Sequence, residues 1–262
     1  MAEVEKYRPG EFCWAELATT DVAAAKLFYG GVFGWRSHDI PMGPGEIYTM
    51  MQIGGKDVAA MYSMRDEQRK QGAPPNWMLY IASDNVDGTA KQIQEAGGTV
   101  IAGPFDVFTA GRMLIAMDTE GAMFGVWQAG EHIGARLRNQ DGTFCWPELA
   151  ARDEAKARDF YTRAFGYQVK TSPGGPMAYT EWQVEGQSIG GMMQIKQEWG
   201  AVPPNWMPYF QVADCDATVA KAASLGAEAL HGPHDIENVG RFAVLQDPLG
   251  AVFSVIRLTM PM

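Results

Sequence analysis

An α+β fold built from four βαβββ units follows from three observations on this chain of 262 residues. The sequence repeats itself, its strands are short and alternate apolar with polar residues, and its helical stretches are short and closed by glycine. The repeat opens as FCWAELA at Phe12–Ala18 and returns as FCWPELA at Phe144–Ala150. It runs on through Asp21 and Asp153, Phe28–Tyr29 and Phe160–Tyr161, and Tyr48–Thr49 and Tyr179–Thr180. PPNWM then occurs as Pro74–Met78 and as Pro203–Met207, and the match continues to Asp118 and Asp247. The spacing drifts only at two small length changes, both in expected loops. A domain of roughly 130 residues is therefore duplicated. The first domain is expected over residues 1–131 and the second over 143–262, with the polar stretch 132–142 as connector.

The elements follow in order within the first half. Phe12–Thr19 alternates as a strand, placing Phe12, Trp14 and Glu16 on one face and Cys13, Ala15 and Leu17 on the other. Asp21 is placed to cap a helix over Val22–Val32 that stops at Gly34. Trp35–Ile40, Ile47–Ile53 and Asp57–Ser63 read as strands between Gly/Pro turns. After PPN the order recurs. A strand at Trp77–Ser83 precedes a helix over Val86–Ala96, which keeps Val86, Ala90 and Ile93 on one face. Strands near Thr99–Phe105, Arg112–Asp118 and Ala122–Gln128 complete the half. The prolines of PPNWM fix the crossover between units, and Asp118 and Asp247 are assigned to turn hydrogen bonds.

Composition excludes several function classes. The formal net charge is -10, so phosphate backbones and anionic lipid are repelled and neither nucleic acid nor membrane is an expected partner. No apolar run approaches the roughly 20 residues that span a bilayer. The opening MAEVEKYRPGEF lacks the apolar core of a signal peptide. Cys13, Cys145 and Cys215 make no disulfide framework, and a reduced, cytoplasmic protein is expected.

The repeat resembles the vicinal oxygen chelate superfamily, which includes glyoxalase I, bleomycin-resistance proteins and extradiol dioxygenases. The resemblance is carried by TTDVAAAKLFYGGVFGW after the entry strand and by the endings DTEGAMFGVW (Asp118–Trp127) and DPLGAVFSVI (Asp247–Ile256). It covers nearly the whole chain and is closest to bacterial tandem-domain members described as glyoxalase-like or hydroxylase-like. It implies that two βαβββ units pair into a curled, mixed sheet, giving two tandem glyoxalase/bleomycin-resistance-like domains with a cup in each.

The same resemblance implies a divalent metal in the cup, held by His, Glu or Gln on the first and last strands of each unit. Those positions fall here on Trp14, Ala60, Met78 and Gly125, and on Trp146, Gly191, Met207 and Ser254. None offers the imidazole or carboxylate lone pairs that a hard cation needs. A register slip of two would bring in only Glu16 and Glu148. No metal or other cofactor is therefore expected. The histidines His38, His132, His231 and His234 read as surface or loop residues, since Gly-Pro divides the last pair and the first half carries Ala102 and Phe105 there.

Glu16 and Glu148 are the candidate chemical groups. Each shares a strand face with a tryptophan, so a desolvated wall is expected to raise its pKa. Three roles stay open: acid–base catalysis, anchoring of a cationic ligand group, or a structural pair with Arg112 or Arg241. Trp14, Tyr48, Trp77 and Met78, with Trp146, Tyr179, Trp206 and Met207, are expected to line one aromatic pocket per domain. Eight tryptophans and sixteen methionines suit adaptable apolar walls. Ala59–Ala60 and Gly190–Gly191 mark close approach, by a ligand or by packing.

The leading reading is a small-molecule binding protein, metal-free and serving detoxification or resistance. An enzyme of the glyoxalase or lyase type working through Glu16 and Glu148 is the alternative. A metal enzyme acting on a hemithioacetal, catechol or epoxide is the third reading, which the missing donors oppose. A monomer or weak homodimer is expected.

Overall fold

The computed structural model describes residues 3–70, 72–172 and 179–259. The first half runs β1 (Phe12–Thr19), α1 (Val22–Phe33), β2 (Arg36–Gly43), β3 (Glu46–Ile53), β4 (Lys56–Ser63), a short helix α2 (Asp66–Lys70), β5 (Asn76–Ala82), α3 (Val86–Glu95), β6 (Thr99–Val107), β7 (Gly111–Met117) and β8 (Met123–Ala129). The second half runs β9 (Phe144–Ala151), α4 (Glu154–Phe165), β10 (Gln168–Ser172), β11 (Tyr179–Val184), β12 (Gln187–Gln194), β13 (Asn205–Gln211), α5 (Cys215–Ser224), β14 (Glu228–Ile236), β15 (Gly240–Gln246) and β16 (Val252–Leu258). Of these elements, only α2 has no counterpart in the sequence expectation.

Local chemistry fixes the helix ends. The Asp21 carboxylate accepts from Ala24 N–H at 3.0 Å, and Gly34 closes α1 in the left-handed region at φ 73°. Asp153 and Gly166 do the same for α4.

Each half folds into one eight-stranded mixed sheet, in the orders β2-β3-β4-β1-β5-β8-β7-β6 and β10-β11-β12-β9-β13-β16-β15-β14. The two units of a half meet where β1 runs antiparallel to β5, and β9 to β13. β1 pairs in parallel with β4, and β5 with β8. The sheets are curled, with the inner face of each carrying Glu16 or Glu148. The fold is thus two tandem glyoxalase-like domains, α+β overall.

The outer faces of both sheets and the helices share one core. Leu17, Tyr29, Trp35 and Trp77 of the first half pack with Tyr161, Trp206, Phe210 and Phe253 of the second. Two matched polar latches cross this core. Tyr29 Oη donates to Asp247 at 2.9 Å and accepts from Trp77 Nε1 at 3.1 Å. Tyr161 Oη donates to Asp118 at 3.1 Å and accepts from Trp206 Nε1 at 2.7 Å. The other oxygen of each aspartate closes its turn as expected, Asp118 on Glu120 and Ala122 N–H, and Asp247 on Leu249 and Ala251 N–H.

Two expectations need correction here. The alternation of β1 breaks at a bulge between Phe12 and Trp14, so Phe12 joins Ala15 and Leu17 in the shared core while Cys13 turns inward beside Trp14. The bulge recurs in the second half between Phe144 and Trp146 of β9, opposite Tyr209 and Phe210. The 132–142 stretch is also more than a polar connector. Leu137 enters the shared core, and Ala135 is buried against the inner face of the first sheet. The three cysteines are free and buried, and burial pushes the Cys13 and Cys145 thiols up to about 12. Among the described residues no helix is long and apolar enough to cross a membrane.

Candidate functional site

At the centre of each inner face stands a carboxyl held by two phenols, one of which accepts from an indole; Glu148 is buried and Glu16 half-buried. Period-two spacing puts Trp14 and Glu16 on one face of β1, and register sets Glu16 beside Ala60 of β4 and Met78 of β5. Tyr48 Oη donates to one Glu16 oxygen at 2.6 Å, and Tyr80 Oη to the other at 3.0 Å. Trp14 Nε1 donates to Tyr48 Oη at 3.0 Å. The second cup repeats the arrangement. Glu148 accepts from Tyr179 at 3.0 Å and Tyr209 at 2.7 Å, and Trp146 Nε1 donates to Tyr179 at 2.8 Å.

Burial raises the pKa of both carboxyls, and the tyrosine hydrogen bonds pull the other way without overcoming it. The four phenols are pushed well above their ordinary value, first by burial and then by the carboxyl beside them. The site is therefore a low-dielectric hydrogen-bond net with every polar end of the Trp–Tyr–Glu–Tyr chain satisfied.

The structure gathers Trp14, Tyr48, Ala60 and Met78 in the first cup, and Trp146 and Met207 in the second. Gly125 lies beside Tyr80, and a Cβ there would overlap the Tyr80 ring. A Cβ on Gly191 would overlap the Tyr179 hydroxyl and stand 3.0 Å from Trp146 Nε1, so the close approach marked by this glycine is packing by the cup's own ring. Ser254 pairs in register with Tyr209 and is fully buried.

Trp77 and Trp206 are misplaced in the sequence reading. Both face the shared core, where they serve the interdomain latches, because they stand one residue out of phase with Met78 and Met207. The pairing of Glu16 or Glu148 with arginine is also overturned. Arg112 holds Asp87 and Asp106 at the surface, and Arg241 holds Asp216 and Asp235. His132, expected at the surface or in a loop, lies in a loop, half-buried and edge-on to Trp14 with ring centroids 4.6 Å apart. His231 and His234 are exposed neighbours on β14, rings 4.6 Å apart, with His231 reaching toward Phe242. Tyr80 and Tyr209 were missed. Their signal was available, since both sit two residues after Met78 and Met207 and recur in the repeat.

A divalent metal does not fit these donors. The positions that would ligate it hold indole, methyl, thioether, bare backbone and one hydroxyl, and each remaining carboxyl already accepts two phenol hydrogen bonds. Among the described residues no three His, Cys, Asp or Glu side chains gather as a metal-holding group.

Comparisons with known proteins agree with this architecture. A family model described as the Glyoxalase/Bleomycin resistance protein/Dioxygenase superfamily matches residues 12–126, and one described as Glyoxalase-like domain matches residues 148–256. CFP32 of Mycobacterium tuberculosis, named as a provisional glyoxylase, is 41% identical over 261 residues, covering 98% of each chain. The anthracycline biosynthesis protein DnrV of Streptomyces peucetius is 35% identical over 265 residues, covering 97% of this chain and 95% of its own. Among solved structures, the Mn(II)-bound glyoxalase from Novosphingobium aromaticivorans aligns with TM-score 0.66 at 15% identity, over 97% of this chain and 84% of that one. At that identity the likeness is one of fold.

Proposed function

The chain belongs to the glyoxalase/bleomycin resistance protein/dioxygenase superfamily, and from that premise we propose that it binds a small organic molecule in an aromatic cup that works without a metal. The observation that carries this reading is the Trp–Tyr–Glu–Tyr net, which stands among the ligand positions in both halves and leaves no free carboxylate or imidazole at them, the Ser254 hydroxyl being the one oxygen without a partner there. Indole, phenol and thioether walls give large, flat, repackable contacts suited to an aromatic ligand. DnrV is named for anthracycline biosynthesis, and anthracyclines are fused-ring aromatics, which supports the same ligand shape. Capture of such a molecule serves detoxification, resistance or its handling during synthesis.

A second reading makes Glu16 and Glu148 acid–base catalysts, favoured by their burial-raised pKa. It is the weaker one, since a proton transfer must first displace a tyrosine hydroxyl from each carboxyl. Metal content of the purified protein and melts with added manganese, zinc or nickel test the metal-free part. Unshifted melts are expected, and a site filled to about 100 times its Kd would add about 2.7 kcal/mol and sink the proposal. Turnover of a hemithioacetal or other carbonyl substrate that vanishes in the Glu16→Gln, Glu148→Gln double variant would move the assignment to catalysis.

A further inference from the structure

The two cups share one net but not one surrounding. In the first, the stretch after β8 folds back over the inner face. Ala135 N–H donates to the Cys13 carbonyl at 2.8 Å, and Arg136 N–H donates to the Asp57 carbonyl at 2.7 Å. The pairing of β1 with β4 starts only at Glu16 and Ala60, so this segment bridges the two strands where they have not yet met. Its approach is close. Gly134 sits at φ 109°, and a Cβ there would overlap the Cys13 carbonyl. The His132 ring lies 4.6 Å from Trp14 and 5.8 Å from Trp127, and the His132 carbonyl accepts from Trp127 Nε1 at 2.8 Å.

The N-terminal segment holds the fold-back in place. Tyr7 Oη donates to the Ala135 carbonyl at 2.7 Å, and Val4 N–H to the Arg136 carbonyl at 2.9 Å. Tyr7 and Ala135 are buried in the same cluster as Trp14, Tyr80 and Trp127, with Val4 and Ile133 packed on it. Trp14 is left only 4% exposed while Glu16, farther along β1, stays half-buried, so the cover lies over the Trp14 end of the cup.

In the second cup the corresponding cluster of Cys145, Tyr209 and Ile256, with Trp146, Met207, Phe242 and Leu258, comes wholly from its own sheet. Trp146 keeps solvent-accessible surface, and among the described residues no connector covers it. The rim also differs. Ala102, Phe105 and Met113 of the first half are replaced by His231, His234 and Phe242, and the Phe242 ring stands 5.6 Å from His231 and 6.2 Å from Tyr209.

We infer that the chain's own connector and N-terminal segment occupy the first cup, so that the protein takes one small molecule per chain, in the second cup against Trp146 and Phe242. The first cup is then a packed copy whose net serves stability. This rests on the binding reading above and narrows it to one site.

The test is a titration with anilinonaphthalene sulfonate, a flat aromatic anion, followed by fluorescence and calorimetry to obtain sites per chain. One site is expected, weakened at least about tenfold, or about 1.4 kcal/mol, by Met207→Trp, which fills the second cup, and by Phe242→Ala, which strips its rim. The His132→Gly, Ile133→Gly double variant, which unpacks the connector, is expected to bind two. Circular dichroism and thermal melts confirm that each variant is folded. The wild-type stoichiometry needs no variant at all. Two sites in the wild type, one site indifferent to both second-cup variants, or a folded connector variant that still binds one would overturn the single-cup assignment while leaving small-molecule binding intact. No binding by the wild type would remove the binding reading, and this inference with it.

Discussion

The buried carboxyls give the protein a pH signature that decides between an ionised and a neutral net. Burial raises Glu16 and Glu148 above the ordinary glutamate value of 4.5. Below that value the carboxyls are protonated in both the folded and unfolded states, and their contribution to stability is fully present. Above it the unfolded chain releases protons that the fold retains. Stability therefore falls as pH rises, by about 1.4 kcal/mol per pH unit for each carboxyl, until the folded group itself titrates. The Glu16→Gln, Glu148→Gln double variant cannot titrate at either position. Its stability should lose up to about 2.7 kcal/mol per pH unit less than the wild type over that window. His132 and His231, lowered first by burial, tilt the curve the opposite way at nearby pH. Both remain in the variant, so they cancel in the difference. Urea melts of both proteins at about pH 5, 6 and 7, with equal m-values, measure it. A wild-type-minus-variant stability that stays flat from about pH 5 to pH 6 would mean that both carboxyls are ionised in the fold, and that four phenol hydrogen bonds outweigh desolvation.

Tyr161→Phe removes the donor to Asp118 and the acceptor for Trp206 Nε1, at an expected cost of about 1–3 kcal/mol and a melting point lower by roughly 2–4 °C per kcal/mol. An unchanged melting point would refute the latch. Trp206→Ala should cost about 3–5 kcal/mol because it opens the shared core. Trp146→Ala, in the half-open second cup, should cost about 2 kcal/mol or less, and equal losses in two thermal melts would contradict the assignment of faces. His132 is lowered by burial and by Arg136, against Asp57, so the fold-back it belongs to should loosen as pH drops below the ordinary imidazole value of 6.5. Protection of the Ala135 and Arg136 amides from hydrogen exchange, taken relative to the intrinsic rate at each pH, should fall between about pH 7 and pH 5, and should not do so in His132→Phe.

The fold was legible because each local signal was printed twice. Asp21 and Asp153, Gly34 and Gly166, and PPNWM in both halves mark the same boundaries independently. The candidate site was half legible. Alternation placed Trp14 and Glu16 together, and the repeat supplied Trp146 and Glu148. Periodicity failed at Phe12, since a bulge adds a residue without changing composition. It failed at Trp77 and Trp206 for another reason. Their size and their neighbours Met78 and Met207 suggested a pocket, while their phase on the strand put them in the core. The repeat marks Tyr48 and Tyr80, but nothing local pairs them with Glu16, which they reach from β3 and β5. The fold-back of Gly134–Arg136 was invisible too, since a polar stretch with glycine reads as linker until the strands it bridges are placed.

The small residues at Gly125 and Gly191 and the rings of the aromatic net depend on one another. At Gly191 any side chain would overlap the Tyr179 hydroxyl, and at Gly125 any side chain would overlap the Tyr80 ring. A glutamate at either position therefore requires the facing tyrosine to move. Removing Tyr179 in turn strips a hydrogen bond from buried Glu148 and leaves Trp146 Nε1 without its acceptor. A single substitution toward chelation thus pays a desolvation cost before any donor reaches a cation, and at least two must arrive together. The pairs Trp14/Trp146, Glu16/Glu148, Tyr48/Tyr179, Met78/Met207 and Tyr80/Tyr209 are identical, whereas Ala60/Gly191 and Gly125/Ser254 have diverged among small residues alone. That pattern is what a self-locking net dictates: aromatic and carboxyl members are held by one another, while the positions behind them are free to change only within the volume the rings leave.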